Sequence, residues 1–157
     1  MNLATSYYGI VKEVLGEMNR RRRTEIFIQG NPNLAKDFAE RIMKRYACNE
    51  ISTPQYGSTM MKMRETAKNS LFYIGEVLIT EAKVEINREI GIGIVIGMKD
   101  DLAKNLAIID AAYKANLPET KEWEEELFKV EETIHKEKIQ KQAEILKTKV
   151  NFETMDV

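Results

Sequence analysis

The chain has 157 residues, and its 24 Lys and Arg nearly balance its 25 Asp and Glu, giving a formal net charge of −1. A chain of this length buries a substantial core, and the balanced charge argues against a nucleic-acid coat protein or a polybasic membrane protein. One cysteine and one histidine exclude an intrachain disulfide and a zinc site made of several such ligands. We therefore expect one domain, 1–157, organised as 1–57, 58–98 and 99–157.

The sequence contains no recognisable targeting or membrane segment. No basic side chain precedes Lys12, and Glu13 follows it, so the start lacks the pattern of a signal peptide. The longest apolar run, 90–98, is far shorter than the roughly 20 residues that span a bilayer. These features predict a cytoplasmic protein.

The first 57 residues are predicted to form a helix, a short strand and a second helix. Residues 6–19 have the apolar spacing of a helix, and 24–28 (Thr-Glu-Ile-Phe-Ile) has the composition of a strand. Asn31 is predicted to cap the second helix. The apolar stripe of that helix consists of Leu34, Phe38, Ile42 and Tyr46. Pro54 and Gly57 are expected to mark the next break.

A run of four arginines, Arg20, Arg21, Arg22 and Arg23, lies between the first helix and the strand. Guanidinium groups match the oxygens of a phosphate group, so the run is a candidate phosphate-binding cluster. The alternative, which we favour, is the solvated end of the 6–19 helix, where cations oppose the negative pole of the helix dipole.

Between residues 58 and 98 the pattern changes from helical to alternating, which predicts an antiparallel meander sheet. In the last strand, 89–98, isoleucines at every second position are expected to face the core. The opposite face is nearly bare backbone because it consists largely of Gly91, Gly93 and Gly97. Glycine in a strand often marks the close approach of another element. We expect that element to be either the chain's own helix or a partner subunit.

The C-terminal part is predicted to be helical. The expected fold class is therefore α+β, with helices before the sheet and a long helical region after it along the chain. One helix is expected at about 101–114, capped by Asp100 or Asp101, and 119–149 contains no Gly or Pro. Up to 31 residues there form a helix of about 46 Å at 1.5 Å per residue. Its apolar stripe changes register near 135–138, so the helix either bends or extends to a partner.

The sequence offers no residues for a catalytic, cofactor or metal site. His135 lies in a charged helical segment, and Cys48 has no activating neighbour and is best explained as a small, half-buried packing residue. Carboxylates are numerous, but no pair of them has an unusual setting. Without a catalytic constellation, the chain is predicted to be a structural or binding subunit.

Four segments resemble one bacterial family. Residues 72–80 (F-Y-I-G-E-V-L-I-T) are similar to an F-x-x-GE-x-x-x-T strand, and 90–97 resembles a glycine-punctuated strand ending in V-L-G. Residues 103–111 are similar to the helix after it, and 141–155 resembles an R-Q-A-E…V-D-F-x-T-M ending. The chain thus resembles, over roughly 70–157, the G subunit (PhnG) of the carbon–phosphorus lyase system, which lets bacteria use phosphonates.

The resemblance implies an assembly subunit. Family members assemble with the H, I and J subunits into a core complex with two copies of each. The G, H, I and L proteins are required to make α-D-ribose 1-methylphosphonate 5-triphosphate, a reaction in which a phosphonate oxygen displaces adenine from C1′ of ATP. On this basis no cofactor is expected in this chain. The alternative hypothesis is a free-standing phosphate- or nucleic-acid-binding module that uses the four arginines.

Partner contacts are expected at the glycine face and in the tail. The apolar anchors predicted in the tail are Phe152 and Met155, since aromatic and Met side chains near a chain end gain most from docking. One stretch departs from the family pattern. Where the family commonly shows R-D-K-x-H-A-E, this chain has Met98 in place of the arginine and Leu102 in place of the histidine.

Overall fold

The computed structural model describes residues 18–31 and 33–148, which form helices and an antiparallel sheet in the expected α+β arrangement. The elements in chain order are α1 (Arg20–Gln29), α2 (Leu34–Met43), β1 (Asn49–Arg64), β2 (Leu71–Ile86), β3 (Glu89–Ile96), α3 (Asp100–Lys114) and α4 (Glu119–Lys147). Most of the predicted helix 6–19 and the tail anchors Phe152 and Met155 lie outside the described residues.

The sheet is a three-stranded meander in the order β1-β2-β3, which confirms the predicted topology. It begins at Asn49 and not at residue 58, so the expected break at Pro54 and Gly57 is wrong: both residues lie inside β1. Proline lacks a backbone N–H and is tolerated because β1 is an edge strand that pairs only with β2. The register shifts between Ser52 and Gln55, which accommodates the proline locally.

Segment 24–28 is part of α1, so the strand predicted there is wrong. Its β-branched and aromatic residues favour a strand locally, but Asn19 starts a helix just before them. The Asn19 side chain accepts a hydrogen bond from the backbone N–H of Arg22 at 3.0 Å, and Ile26 and Phe27 are buried in the core. The four arginines therefore form the first turn of a helix, which corrects the expectation that they end one.

The two faces of β3 are used in the opposite way to the prediction. Gly91, Gly93 and Val95 are buried, whereas Ile90, Ile94 and Ile96 are 47%, 44% and 66% exposed. The isoleucines do not face the core because α3 lies on the glycine face instead. The small side chains at 103, 107 and 111 of α3 meet the glycines, so helix and strand backbones approach closely. A partner would reach Gly91 and Gly93 only by displacing this helix.

The aromatic centre of the core joins α1, α2, α3 and α4. Phe38 stacks on Trp123 with ring centroids 4.8 Å apart, and Phe27 meets Phe38 edge-on at 5.4 Å. Phe38 and Ile42 of the predicted α2 stripe are buried, and Leu34 and Tyr46 pack partly against the core. Asn31 does not cap α2: Asn33 occupies that position, and the Asn31 side chain accepts from its N–H at 2.9 Å.

Helix α4 is 29 residues long, about 43 Å, close to the predicted extent. Its first half packs through Trp123 and Leu127, which are buried. Beyond residue 137 every described residue is exposed, including Ile139, Ile145 and Leu146 at 55–61%. These three apolar side chains at the end of α4 have no covering element among the described residues. None of the helices in 18–31 and 33–148 is long and apolar enough to cross a membrane.

Candidate functional site

The hairpin formed by β1 and β2 extends well past the rest of the sheet. The last β3 pairing joins Ile96 to Ile79, and the Gly97 N–H donates to the Leu78 carbonyl oxygen at 2.9 Å. Beyond this bond, 58–64 and 71–78 pair with each other and with no third strand. We call these two segments the ribbon. Seven residues of strand at about 3.3 Å each make it roughly 23 Å long. The ribbon therefore projects from the core as two isolated strands.

The ribbon carries large apolar side chains into solvent. They are exposed by 38–57% and comprise Met60, Met61, Met63, Leu71, Phe72, Tyr73, Ile74 and Leu78. Its tip is closed by hydrogen bonds from the Arg64 guanidinium to the Asn69 carbonyl oxygen (2.7 Å) and from the Ser70 hydroxyl to the Glu65 carboxylate (2.7 Å). A two-stranded hairpin alone is marginally stable in water, and soluble monomers rarely expose apolar patches of this extent.

The apolar surface continues from the ribbon across the sheet face that α3 does not cover. The pairing register places Met61, Met63 and Phe72 on the same face as Ile79 and Ile96. The exposed isoleucines of β3 extend this face along the neighbouring strand. We call this surface, from Phe72 to Ile90, the open face. The ion pair between Lys83 and Glu81 (2.7 Å) lies on the same face.

Asp110 organises the free edge of β3. Its carboxylate is 6% exposed and accepts from the backbone N–H of Ile92 at 3.1 Å, from Arg20 Nε at 3.0 Å and from Lys114 Nζ at 3.1 Å. Arg20 also donates to the Ile92 carbonyl oxygen at 2.9 Å. The backbone N–H and carbonyl oxygen of Ile92 are thus hydrogen-bonded to side chains, which prevents another strand from pairing with β3 at this residue.

The structure separates the four arginines of the sequence run. Arg22 lies on the far side of α1, where it donates to both carboxylate oxygens of Glu131 at 2.7 and 2.6 Å. Arg23 stacks 3.6 Å above the Tyr113 ring, and burial raises the pKa of Tyr113 to about 12, so the ring stays neutral. Arg20 binds Asp110, and only Arg21 makes no ion pair among the described residues. The run is therefore mainly structural, which weakens the phosphate- or nucleic-acid-binding alternative.

A cleft of about 620 Å³ lies between α1, the free edge of β3 and α3. Arg20 and Arg21 are among the residues at its rim, and its walls include Ile28, Ile94 and Leu106. Because the N–H and C=O of Ile92 both point to the free edge, the alternation of the strand directs those of Ile94 there too. The cleft thus combines apolar walls, three arginine side chains (Arg20, Arg21 and Arg23) and the strand edge at Ile94.

The turn from β3 into α3 is held by Thr80, which is fully buried. Its hydroxyl donates to the Gly97 carbonyl oxygen at 2.6 Å and accepts from the Lys99 N–H at 3.2 Å. Gly97 has φ of +87°, which favours glycine. Next to this turn, Met98 is 67% exposed, and Leu102 packs partly against the core.

The described residues contain no recognisable catalytic arrangement. His135 is exposed on α4, and burial raises the pKa of the half-buried Cys48 thiol, which opposes thiolate formation. Within 18–31 and 33–148, no three His, Cys, Asp or Glu residues come together as metal ligands.

Sequence reasoning missed the ribbon and the role of Asp110. The alternation of Thr59, Met61 and Met63 with polar neighbours indicates a strand after residue 58, but Pro54 and Gly57 were interpreted as a break, so the start of β1 at Asn49 was not predicted.

Comparison with known proteins identifies a family for this chain. The family model described as "phosphonate metabolism protein PhnG" matches residues 18–156, nearly the whole chain. The chain matches no curated protein sequence. The matched range contains the ribbon, the open face and Asp110, so these features lie in the part of the chain that follows the family pattern.

Proposed function

The chain belongs to the PhnG family and has a role in phosphonate metabolism, and from this premise we propose that it is an assembly subunit of the carbon–phosphorus lyase core. It joins H, I and J subunits in the cytoplasm, with two copies per complex. The assembly transfers ribose 5-triphosphate from ATP to methylphosphonate: the C1′–N bond to adenine breaks as a phosphonate oxygen bonds to C1′. This chain supplies docking surface and not catalytic groups.

The observation that carries the proposal is the ribbon. Eight large apolar side chains on two strands outside the core have no cover among the described residues. Fully burying an exposed side chain of this size contributes about 1.5–3 kcal/mol. The ribbon side chains are 38–57% exposed, so about half of that per side chain is available to docking, against the entropic cost of association. The open face continues the same surface toward Ile90, which gives a partner one broad contact area and not only a projecting hairpin.

Two further elements extend the proposed docking surface. Gly97 lies at the rim of the sheet, where a Cβ would meet nothing within 4 Å, so a partner has access to it. The exposed apolar end of α4 leads directly into the tail with Phe152 and Met155. We propose that partners contact both Gly97 and the tail, as expected for a subunit held between neighbours.

Affinity purification tests this proposal. The chain carries a tag, is purified gently from its own host under phosphate starvation, and its partners are identified by mass spectrometry. Recovery of H-, I- and J-type subunits in comparable amounts supports the assembly role. Recovery of the chain alone, or with nucleic acid, contradicts it.

Substitution of the ribbon gives a sharper prediction. We expect Phe72→Ser and Met63→Ser, which change a facing pair on the open face, each to weaken co-assembly by about 2 kcal/mol, roughly thirtyfold in affinity. The stability of the isolated chain stays nearly unchanged because both side chains are exposed. The measurement is the amount of partner recovered on titration with the variant. Met43→Ser is the control, since Met43 is 44% exposed but lies on α2. Equal losses for all three variants would refute the ribbon as the contact.

Truncation of the tail tests the second contact. Removing 150–157 is expected to weaken co-assembly while leaving the denaturation midpoint of the isolated chain unchanged, because the described core ends with the first half of α4. Size-exclusion chromatography of the co-expressed subunits measures assembly. A truncated chain that assembles as well as the full chain would exclude Phe152 and Met155 as anchors.

A further inference from the structure

The cleft between α1, the free edge of β3 and α3 is a feature that docking of the ribbon does not use, because no ribbon residue lines it. We propose that it binds an extended peptide segment of a partner protein. The segment pairs with β3 at Ile94 as an added strand and brings a carboxylate to the arginines of the cleft. This contact goes beyond the assembly surfaces proposed above and does not depend on them.

The backbone of β3 offers unused hydrogen-bonding groups to such a strand. The N–H and C=O of Ile92 point away from β2, whereas the Gly97 N–H points toward it and donates to Leu78. Strand alternation therefore directs the N–H and C=O of Ile94 away from β2, into the cleft that this residue lines. Neither group has a hydrogen-bond partner among the described residues. An edge of this kind is a template for strand addition.

The neighbouring contacts set the length and direction of the added strand. Arg20 binds the Ile92 carbonyl oxygen and Lys114 binds that of Ile90, so pairing stops before residue 92. The open edge matches a strand of about four residues, which at 3.3 Å each is roughly 13 Å. A strand antiparallel to β3 runs toward Ile92, and its carboxyl end therefore arrives beside Arg20. A parallel strand would bring an amino end to the same cation.

The charges of the cleft favour the carboxyl end. Three arginines line it: Arg20, Arg21 and Arg23. Of the two carboxylates there, Asp110 is bound by Arg20 at 3.0 Å, and Glu25 lies 3.6 Å from Lys138. Arg21 makes no ion pair among the described residues. Positive charge is thus in excess, and a carboxylate at the end of the added strand gives Arg21 a charge-assisted hydrogen bond.

The apolar walls select the side chains of the segment. Gly93 and Val95 are buried on the side of α3, so the residues of an added strand opposite them also face the helices. Leu106 and Ile28 line the cleft, and Ile28 is 47% exposed. The segment that fits is therefore an apolar, a polar and an apolar residue followed by a carboxylate.

A fluorescent peptide, Ser-Val-Thr-Val-Glu with a free carboxyl end, tests the proposal on the full chain by fluorescence anisotropy. We expect saturable binding with a Kd of about 0.1 mM or tighter, with Thr opposite Ile94. N-methylation of the Thr amide removes the donor to the Ile94 carbonyl oxygen and should weaken binding about tenfold or more. N-methylation of the following Val amide, which points away from β3, is the matched control. Absence of binding, or equal losses for the two methylated peptides, would overturn the proposal.

Charge reversal tests the carboxylate contact. We expect Arg21→Glu to weaken binding of this peptide about tenfold or more and to leave the urea midpoint nearly unchanged, because Arg21 makes no ion pair to lose. A peptide that ends in a lysine amide should bind the variant better than it binds the original chain. Lys121→Glu is the control, since Lys121 is exposed on α4 and does not line the cleft. Equal binding by the two variants would contradict the contact.

Hydrogen exchange locates the bound peptide. We expect protection of the Ile94 amide and no change in the ribbon, and Phe72→Ser should bind the peptide normally even if it loses its assembly partners. Protection of the ribbon instead of Ile94 would overturn the proposal. So would complete displacement by millimolar inorganic phosphate at constant ionic strength, which would make the cleft a simple anion site. Protection of Ile94 that rises with protein concentration without peptide would also overturn it, in favour of a second copy of this chain.

Discussion

Gly93→Ala is expected to destabilise the chain by more than about 3 kcal/mol, a large fraction of the roughly 5–15 kcal/mol by which a typical domain is stable. A Cβ at this position would overlap the carbonyl oxygen of Ala103 and crowd the N–H of Ala107 at 2.7 Å. Both are backbone atoms of α3, so no side-chain rotation relieves the clash, and the whole helix must move off the strand. Chemical denaturation followed by circular dichroism measures the loss.

Gly57→Ala is the matched control for this substitution. Gly57 also lies in a strand, but the nearest atom to an added Cβ belongs to the Ile79 side chain at 4.0 Å. We expect Gly57→Ala to change the free energy of unfolding by less than about 1 kcal/mol, because alanine costs less chain entropy in a strand than glycine does. Similar midpoints for Gly93→Ala and Gly57→Ala would show that α3 does not lie on the glycine face.

Asp110→Ala is expected to cost roughly 3 kcal/mol of stability, because it leaves cations without their buried counter-charge and the Ile92 N–H without an acceptor. Arg20 and Lys114 remain partly solvated at 53% and 39% exposure, which keeps the loss from being larger. The measurement is the urea midpoint together with exchange of the Ile92 amide, which should lose its protection.

Two further variants serve as comparisons for Asp110→Ala: one keeps a hydrogen-bond acceptor at position 110, and the other removes an exposed carboxylate elsewhere. Asp110→Asn retains an oxygen for the Ile92 N–H, so we expect a smaller loss of stability than for alanine. Glu126→Ala removes an exposed ion pair with Arg41, both side chains being about half exposed, and should cost less than about 1 kcal/mol. If Asp110→Ala behaved like Glu126→Ala, Asp110 would be an ordinary surface carboxylate.

The parts of the fold that the sequence predicts are those in which local pattern and packing agree. The stripe of α2, the long helix after Pro118 and the antiparallel meander all follow from periodicity. Segment 24–28 is different because its strand composition competes with the Asn19 cap and with the burial of Ile26 and Phe27 against other helices. Those contacts are distant in sequence, so no local pattern reports them.

The face of β3 illustrates a second limit of sequence patterns. A row of isoleucines opposite a row of glycines suggests an apolar core on the isoleucine side. In the fold, glycines and the alanines of α3 form the buried contact, since a strand and a helix made of small residues approach more closely than bulky ones allow. In the proposed assembly a partner covers the exposed isoleucines, and the sequence pattern of one chain does not report such a partner.

For Asp110, the sequence shows an acidic residue in an otherwise apolar helical segment. Its partners come from α1, β3 and its own helix, 18 to 90 residues away in the case of Ile92 and Arg20. A buried carboxylate with several donors is recognisable only once those elements are assembled. The separation of Arg22 from Arg20 and Arg21 likewise depends on Glu131, on the far helix.

The ribbon also has a consequence for the life of the protein in the cell. A newly synthesised copy that finds no partner displays two strands with exposed Met, Phe and Tyr side chains, the kind of surface that chaperones hold and proteases cleave. Surplus copies are therefore expected to be short-lived, and the steady-state amount of this chain should follow the supply of its partners even when its own synthesis is raised. Pulse-chase labelling with and without the partner genes measures this dependence.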